Sequence, residues 1–403
     1  MKMGPYQGAA AWRRWMVAAA TLALAAPLLA QAPKIFRDGD SWVEETTGTL
    51  SAGHEFRSFV DIGSLLVEGN SSQISYVVRK RARTSSEEEA RRQFEQLRIS
   101  ATKVGDAVIL EGRLLSRGVN RLSADIVVQI PRMTQLVKVE TKGGNLALSS
   151  VSGSIIGATT AGNVQVDTVS GPVKIMSGGG NMAASNVASD LYFQSGGGNV
   201  SIDRANGQVT VKTGGGQVSI GTAGPTVVET GAGNVDVRRC NGDLHATTGG
   251  GNLNLGDVYG AVTADSGGGT VKLASAKGDV RVVTGGGAVE LMKLGQSAHV
   301  ETGGGSITAQ FVGGRSQFKD SSLRTAVGNI VVYLPRDLGV SVHASTEMAN
   351  GTGITSTFPG LTISSEGGKY GPKSMSGEGS LNGGGPILRV RTTIGQIDIR
   401  QSQ

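Results

Sequence analysis

Hydrophobic and polar residues alternate through most of residues 141–310, and glycine-rich turns interrupt the alternation at regular intervals. In one unit the apolar residues Val200 and Ile202 form a first pair, and Val209 and Val211 form a second. Side chains two positions apart in a strand point to the same side of a sheet, so each pair predicts a short strand with one buried side. The apolar spacing of three and four that marks a helix is absent from these units.

The unit recurs with a period of 18 residues. The last glycine of each turn lies at Gly144, Gly162, Gly180, Gly198, Gly216, Gly233, Gly251, Gly269, Gly287 and Gly305, with one 17-residue step after Gly216. Later units repeat the inward pairs at Val235 and Val237, Leu253 and Leu255, Val271 and Leu273, and Val289 and Leu291. Stacked two-strand repeats of this kind predict an all-β fold, a parallel β-solenoid with 18-residue turns.

The repeat divides the chain into parts. We expect an export signal peptide at 1–32, a β-rich N-terminal flank or cap at 33–140 with a helix near 86–98, a ten-turn β-solenoid at 141–310, and a C-terminal β cap at 311–403 with a Gly/Ser-rich loop near 350–386. Ser85 or Ser86, followed by glutamate three residues later, predicts the helix start. Ala90, Phe94 and Leu97 would then share one face of the helix.

The turn residues suggest two further features. Glycine adopts the positive φ angles that other residues resist, so the glycines are expected to provide them in sharp turns. Asparagines follow many of these glycines, at Asn145, Asn163, Asn181, Asn199, Asn234, Asn252 and Asn329. Stacked in register, they are expected to form a ladder of hydrogen-bonded amides.

The N-terminal residues are typical of an export signal. Lys2, Arg13 and Arg14 precede an apolar run at residues 16–29 that is too short to span a bilayer, and cleavage is expected after Ala30 or Ala32. An ordinary secretory signal is favoured over a twin-arginine signal. Removing three positive charges lowers the formal charge from +6 to +3, which is not the charge of a nucleic-acid-binding protein. No other segment is long enough to cross a membrane.

Three sets of motifs resemble a bacterial putative-adhesin domain family. They are the Gly-Gly-Gly-Asn-Val units, the Ile-Val-Val-x-x-Pro-Arg segments at 126–132 and 330–336, and the closing segment at 383–397. The resemblance covers roughly residues 40–400. It implies an exported, repetitive β protein and no defined biochemical activity.

Carboxylates offer the best enzymatic interpretation. Glu229, Asp265 and Glu301 fall in one outward column, two turns apart, which is roughly 9.5 Å. This is the upper limit for a pair of glycosidase carboxylates, so a glycan hydrolase or lyase using Asp265 with Glu229 or Glu301 is an alternative. Because nothing else converges on these acids, solvated charges on a sheet are the favoured interpretation.

Other chemistry has less support. Calcium-binding β-rolls need an aspartate in each turn, and only Asp236 and Glu290 supply an acid in that position. His245 and His299 share a column but lie three turns apart, too far to bind one metal. Cys240 is expected in a turn, without a histidine in register, and it cannot form an internal disulfide alone. No cofactor or metal is expected.

These patterns favour a non-catalytic, exported interaction or structural protein of the cell envelope, in the periplasm or at the cell surface. Its polar strands suit an envelope polysaccharide, another glycan or a protein as partner. A third hypothesis is a solenoid that assembles end to end into filaments, and the sequence indicates no particular oligomeric state.

Overall fold

The protein is described by a computed structural model covering residues 32–116, 122–314, 316–366 and 373–402. The predicted signal peptide therefore lies outside the described residues except for Ala32, and so does the cleavage site after Ala30. The one helix of the described part, α1, spans Glu87–Glu95, and strands make up nearly all the other regular structure. Across these ranges no helix is long and apolar enough to cross a membrane.

The strands fall into three groups along the chain. The N-terminal flank contains β1 Lys34–Asp38, β2 Ser41–Leu50, β3 Glu55–Val60, β4 Ser64–Ser71, β5 Ile74–Ala82, β6 Leu97–Val104, β7 Ala107–Leu114 and β8 Leu122–Pro131. The repeat contains β9 Leu136–Thr141, β10 Leu146–Ser149, β11 Ser154–Thr159, β12 Val164–Asp167, β13 Val173–Ser177, β14 Met182–Val187, β15 Leu191–Ser195, β16 Val200–Ala205, β17 Val209–Thr213, β18 Val218–Ala223, β19 Thr226–Thr230, β20 Val235–Cys240, β21 Leu244–Thr248, β22 Leu253–Val258, β23 Val262–Ser266, β24 Val271–Ala276, β25 Val280–Thr284, β26 Val289–Leu294, β27 Ala298–Thr302 and β28 Ile307–Phe311. The C-terminal part contains β29 Ser321–Val327, β30 Ile330–Leu334, β31 Val340–Ser356, β32 Thr362–Glu366, β33 Ser374–Leu381 and β34 Ile387–Gln401.

The strands pair in two long runs. Sheet A takes the odd-numbered strands from β9 to β29 in parallel, with β3 and β7 below them and β34 and β31 above. Sheet B takes the even-numbered strands from β10 to β30 in parallel, with β4 and β8 below and the second half of β34 above. From β9 to β30 each strand thus pairs in parallel with the strand two positions along the chain, which agrees with the predicted solenoid. One strand of each sheet makes up what we call a rung.

Paired residues on neighbouring strands are separated by one repeat length along the chain. Val200 lies opposite Val218 on sheet B, and Leu191 lies opposite Val209 on sheet A, 18 residues apart in both cases. Val209 then lies opposite Thr226, 17 residues on, because the turn before β19 is one residue shorter. The inward apolar pairs predicted from the sequence are buried in one continuous core, as expected.

A column of buried hydroxyl groups runs beside the apolar core, and sequence reasoning missed it. On β17, Thr213 Oγ1 donates to the carbonyl oxygen of Gly198 at 2.9 Å and accepts the N–H of Gly216 at 3.3 Å. The donation to a glycine carbonyl recurs on rung after rung, at Thr141, Thr159, Ser177, Ser195, Thr213, Thr230, Thr248, Ser266, Thr284, Thr302, Thr325, Thr346 and Thr392. This column supplies hydrogen-bond partners to turn groups that the strand ladders leave unpaired.

The expected role of the turn glycines is wrong. None of the glycines of the repeat from Gly143 to Gly305 has a φ angle in the left-handed region, between about +20° and +160°. The last glycine of each turn is required by close approach instead: a Cβ on Gly198 would lie 2.0 Å from the carbonyl oxygen of Gly180. The middle glycine is different, because a Cβ on Gly197 would have no heavy atom within 4 Å.

The asparagine ladder exists with a different bonding pattern from the one expected. Asn181 Oδ1 accepts the backbone N–H of Asn199 at 2.8 Å, and Asn199 Oδ1 accepts the backbone N–H of Gln217 at 2.9 Å. The side chains therefore bond to the backbone of the next rung rather than to one another. Each bond satisfies a turn N–H that has no strand partner.

The N-terminal flank contains the predicted helix. Ser86 is its N-cap and accepts the N–H of Glu89, while Ala90 and Phe94 are buried. Leu97 is buried with them in a small second core. The helix covers the antiparallel extension of sheet B formed by β8, β5, β2 and β1.

Two parts of the chain differ from expectation. The Gly/Ser-rich stretch at 350–386 was expected to be a loop, yet β31 runs through to Ser356 and β32 and β33 follow as an antiparallel pair. The glycine- and serine-rich residues of β33 pair with β31 on one side and with β32 on the other, so a composition typical of a loop belongs here to a strand inside the sheet. The stacking also extends beyond residues 141–310, because a Cβ on Gly395 would lie 2.1 Å from the carbonyl oxygen of Gly328.

Candidate binding surface

Sheet A presents two straight outward columns along the solenoid. The first column contains Lys138, Ile156, Lys174, Tyr192, Thr210, Val227, His245, Thr263, Arg281, His299 and Ser322. The second contains Glu140, Ala158, Met176, Gln194, Lys212, Glu229, Thr247, Asp265, Val283, Glu301 and Arg324. Inward residues alternate with them, so each strand contributes one side chain to each column. Neighbouring members are roughly 4.8 Å apart.

A shallow groove lies near the N-terminal end of the first column. It has a volume of about 390 Å³ and is lined by β11, β13, β15 and β17 together with the turns that precede them. Its prominent side chains are Ile156, Lys174 and Tyr192. The ammonium group of Lys174 lies 5.5 Å from the centre of the Tyr192 ring, and the Tyr192 hydroxyl donates to Gln194 at 2.8 Å. The groove therefore combines an apolar floor with a positive charge.

Acidic residues at the edge of sheet A have structural roles. Asp190 Oδ1, at the groove, accepts the backbone N–H of Gln208 on the next rung at 2.9 Å. Asp279 Oδ1 accepts the hydroxyl of Ser297 at 2.7 Å, and Lys319 lies 3.0 Å from Oδ2. These bonds hold the pKa of Asp279 below its ordinary value, so both carboxylates serve the stacking of the rungs.

The three carboxylates predicted as weak catalytic candidates lie in the second column. Glu229 is opposite Thr247, Thr247 is opposite Asp265, and Val283 separates Asp265 from Glu301. Lys212 Nζ lies 2.8 Å from Glu229 Oε2, and this hydrogen bond raises the pKa of Lys212. Glu229 is therefore engaged by a cation, and the residues of the groove include none of the three acids.

The histidines and the cysteine occupy unrelated positions. His245 and His299 share the first column with Thr263 and Arg281 between them, while His54 contacts Asp106 in the flank. Within the described ranges, no three His, Cys, Asp or Glu side chains are grouped closely enough to hold a metal ion.

Cys240 was expected in a turn and is the buried last residue of β20. Its Sγ lies 3.2 Å from the carbonyl oxygen of Gly224, in the turn shortened by one residue. Burial raises the pKa of the thiol. A nucleophilic cysteine needs a lowered pKa and access to solvent, so this thiol is part of the core.

A comparison with solved structures found several similar chains. A putative cell adhesion protein from Clostridium sporogenes is 11% identical with a TM-score of 0.21, and the match covers 92% of this chain and 100% of that one. A putative adhesin from Parabacteroides merdae is 11% identical with a TM-score of 0.24, over 90% and 96% of the two chains. A putative adhesin from Bacteroides fragilis is 11% identical with a TM-score of 0.23, and the match covers 72% of this chain and 96% of that one.

The descriptions of these structures agree with the family resemblance seen in the sequence. Their identities and TM-scores are too low to carry conclusions about what this chain does. No family model matches the chain, and no curated protein matches it.

Proposed function

We propose that this chain is a non-catalytic, exported, adhesin-like protein of the cell envelope that binds a polymeric partner along the outward side of sheet A. The observation that carries the proposal is the pair of unbroken columns on this side. From β9 to β29 they extend over roughly 48 Å. A polymer with a repeating unit can make a similar contact on successive rungs, so many weak contacts add up to one stable complex.

The rigidity of the surface favours binding. The strands are paired on both sides, and the hydroxyl column and the asparagine ladder fix the turns between them. A rigid surface loses little conformational entropy when a partner binds. The long flat sheet is the kind of surface that solenoid proteins use for extended partners.

The glycan hydrolase or lyase alternative depends on Asp265 with Glu229 or Glu301. Lys212 Nζ lies 2.8 Å from Glu229 Oε2, so this carboxylate is held in an ion pair within its own column. Asp265 lies between Thr247 and Val283, neither of which is a partner for acid-base catalysis. These surroundings favour the non-catalytic proposal over the enzymatic one.

Export is proposed from the sequence of residues 1–32, and the periplasm and the cell surface are both open destinations. End-to-end assembly is the less favoured alternative, because antiparallel strands are added at both ends of sheet A, as β6 on β7 and as β33 on β31. An end of this kind does not present the parallel edge that the next solenoid would extend.

The test uses purified residues 33–403 on an array of bacterial and host glycans, peptidoglycan and matrix proteins. Soluble products from the same samples are followed by mass spectrometry, with Asp265→Asn as a matched variant. The proposal predicts polymer binding without product, equal in both proteins. Product that disappears in Asp265→Asn would make the protein an enzyme, and a mass that grows with concentration without any polymer binding would favour assembly.

A further inference from the structure

The C-terminal end of sheet A departs from the charge pattern of the repeat. From β10 to β28, Asp, Glu, Lys and Arg residues that face each other are of opposite sign: Lys212 lies beside Glu229 on sheet A, and Lys272 lies 3.3 Å from Glu290 on sheet B. On β29 and β34, by contrast, Arg324 lies directly opposite Arg391. Like charges also face each other in the N-terminal flank, at Arg57 and Lys138 and at Arg98 and Arg113. Like charges in opposite positions of a sheet destabilise it.

Further basic groups surround this pair. Arg389 lies two residues before Arg391 on the same strand, and His343 lies opposite Arg389 on β31. On the other side, Arg281 lies opposite His299, which continues the first column toward β29. We call the exposed side chains of Arg281, His299, Arg324, His343, Arg389 and Arg391 the basic platform.

Only part of the platform is neutralised by the protein itself. Glu347 pairs with Arg391, and Glu378 lies 3.5 Å from His343. Glu301 on β27 lies directly opposite Arg324, and the two are not among the ion pairs of the described residues. Among the described residues, Arg281, Arg324 and Arg389 form no ion pair. The guanidinium groups of Arg324 and Arg389, on the paired strands β29 and β34, therefore face solvent outside any ion pair, and that of Arg281 lies two strands before β29, on β25.

The geometry of these groups suits a repeated anion. Guanidinium binds carboxylate or sulfate through two parallel hydrogen bonds, which a lysine cannot do. The rungs set the groups roughly 4.8 Å apart across strands, and roughly 6.7 Å separates Arg389 from Arg391 along one strand. The two columns of the platform contain no Phe, Tyr or Trp from β25 to β29 and in β34, so they lack the rings on which single-stranded nucleic acid stacks its bases.

We propose that the basic platform is the site at which this chain binds an acidic polysaccharide, whose carboxylate or sulfate groups contact Arg324, Arg389 and Arg391. The inference rests on the proposed function, because it specifies the chemistry of the polymer that sheet A binds. It also explains why opposing arginines occur there: the anion would offset the repulsion between Arg324 and Arg391.

The experiment compares three proteins of residues 33–403. They are the natural sequence, the double variant Arg324→Gln/Arg389→Gln, and the control Arg204→Gln/Arg239→Gln. The control removes the same charge from exposed arginines of one column on sheet B, on either side of Thr222. Each protein is titrated with dextran, polygalacturonate, dextran sulfate and a thymidine oligonucleotide at two salt concentrations.

The proposal predicts that the natural protein binds an acidic polysaccharide and not dextran, and that the platform variant binds roughly tenfold more weakly or worse. Polygalacturonate binding would identify carboxylate as the ligand group, and dextran sulfate binding would identify sulfate. The control should bind like the natural protein. The melting temperature of the platform variant should stay the same or rise, whereas a purely structural role of these arginines would lower it.

Several results would overturn the inference. They are an equal loss of affinity in both double variants, a preference for the oligonucleotide, or binding to dextran as strong as to the acidic polymers. If the array identifies a neutral polymer that binds equally to all three proteins, the platform inference fails and the proposed function stands. If no polymer binds at all, both fail.

Discussion

The inward and outward sides of sheet A follow different rules, although the same strands supply both. Inward, most strands of sheet A repeat a hydroxyl and two apolar side chains, as in Val209, Val211 and Thr213, and Thr226 and Ser321 replace the first apolar residue on β19 and β29. Outward, the same column changes from Tyr192 to Thr210 to Val227 over three rungs. The difference teaches that stacking constrains the inside on every rung, while the outside is free to vary and so can carry a binding function.

The sharpest test of the inward rule compares two glycines of one turn. In Gly198→Ala the Cβ would meet the backbone of Gly180 at 2.0 Å, and backbone atoms inside a stack cannot move away without separating two rungs. We expect a loss of roughly 3 kcal/mol or more in the free energy of unfolding, measured by denaturant titration. Gly197→Ala should change it by less than about 1 kcal/mol, in either direction.

The natural chain already contains this control. Ala161 and Ala232 occupy the middle position of their turns, whereas the last position is glycine in every turn of the repeat. Equal effects of the two substitutions would refute the close-approach account.

The hydroxyl column gives the next largest expected effect. Thr213→Val keeps the shape of the side chain but leaves a buried carbonyl of Gly198 and N–H of Gly216 without partners. The expected loss is about 1–3 kcal/mol in the free energy of unfolding. Thr210→Val, on the outward side of the same strand, should stay within about 0.5 kcal/mol. If the two variants unfold alike, the hydroxyl column does not contribute to stability.

The asparagine ladder should have a smaller effect because it is exposed to water. Asn199→Ala removes the acceptor for the N–H of Gln217, at an expected cost of about 1 kcal/mol. Gln217→Ala is the matched control, because among the described residues no hydrogen bond from the Gln217 side chain to the next rung occurs. Thermal melting followed by circular dichroism would resolve the pair, and a greater loss in Gln217→Ala would count against the ladder.

The outward charges should matter least for folding. Lys212 and Glu229 are about half exposed, so replacing either with alanine should leave the midpoint of denaturant unfolding almost unchanged. A double-mutant cycle should show little coupling between the two residues, and less at high salt. A shift of the midpoint as large as that of Thr213→Val would mean that outward residues share the structural role of the inward ones.

The sequence predicts the parts of the fold that depend on periodicity. The inward valines and leucines, the parallel stacking of strands and the capped helix at Glu87–Glu95 all follow from apolar spacing and capping residues. The sequence does not reveal why the turns need glycine, because a positive φ angle and a close approach of two backbones both select this residue. A signal was present in Ala161 and Ala232, which reveal a position that tolerates a side chain.

Less of the candidate surface than of the fold could be predicted from the sequence. The repeat places Glu229, Asp265 and Glu301 in one column, and the structure has them there. The groove depends on how Lys174 and Tyr192 lie against each other, and the basic platform depends on β34 returning beside β29. That return joins residues 67 positions apart outside the 18-residue period, so counting along the repeat cannot find it.

Chemical footprinting of lysines tests the central claim most directly, namely that the outward side of sheet A is the binding surface. Residues 33–403 are acetylated briefly with and without the polymer identified on the array, and each lysine is quantified by mass spectrometry. The account predicts protection at Lys138, Lys174 and Lys212 on sheet A and unchanged reactivity at Lys272 on sheet B. Protection confined to Lys272, or equal protection on both sheets, would contradict it.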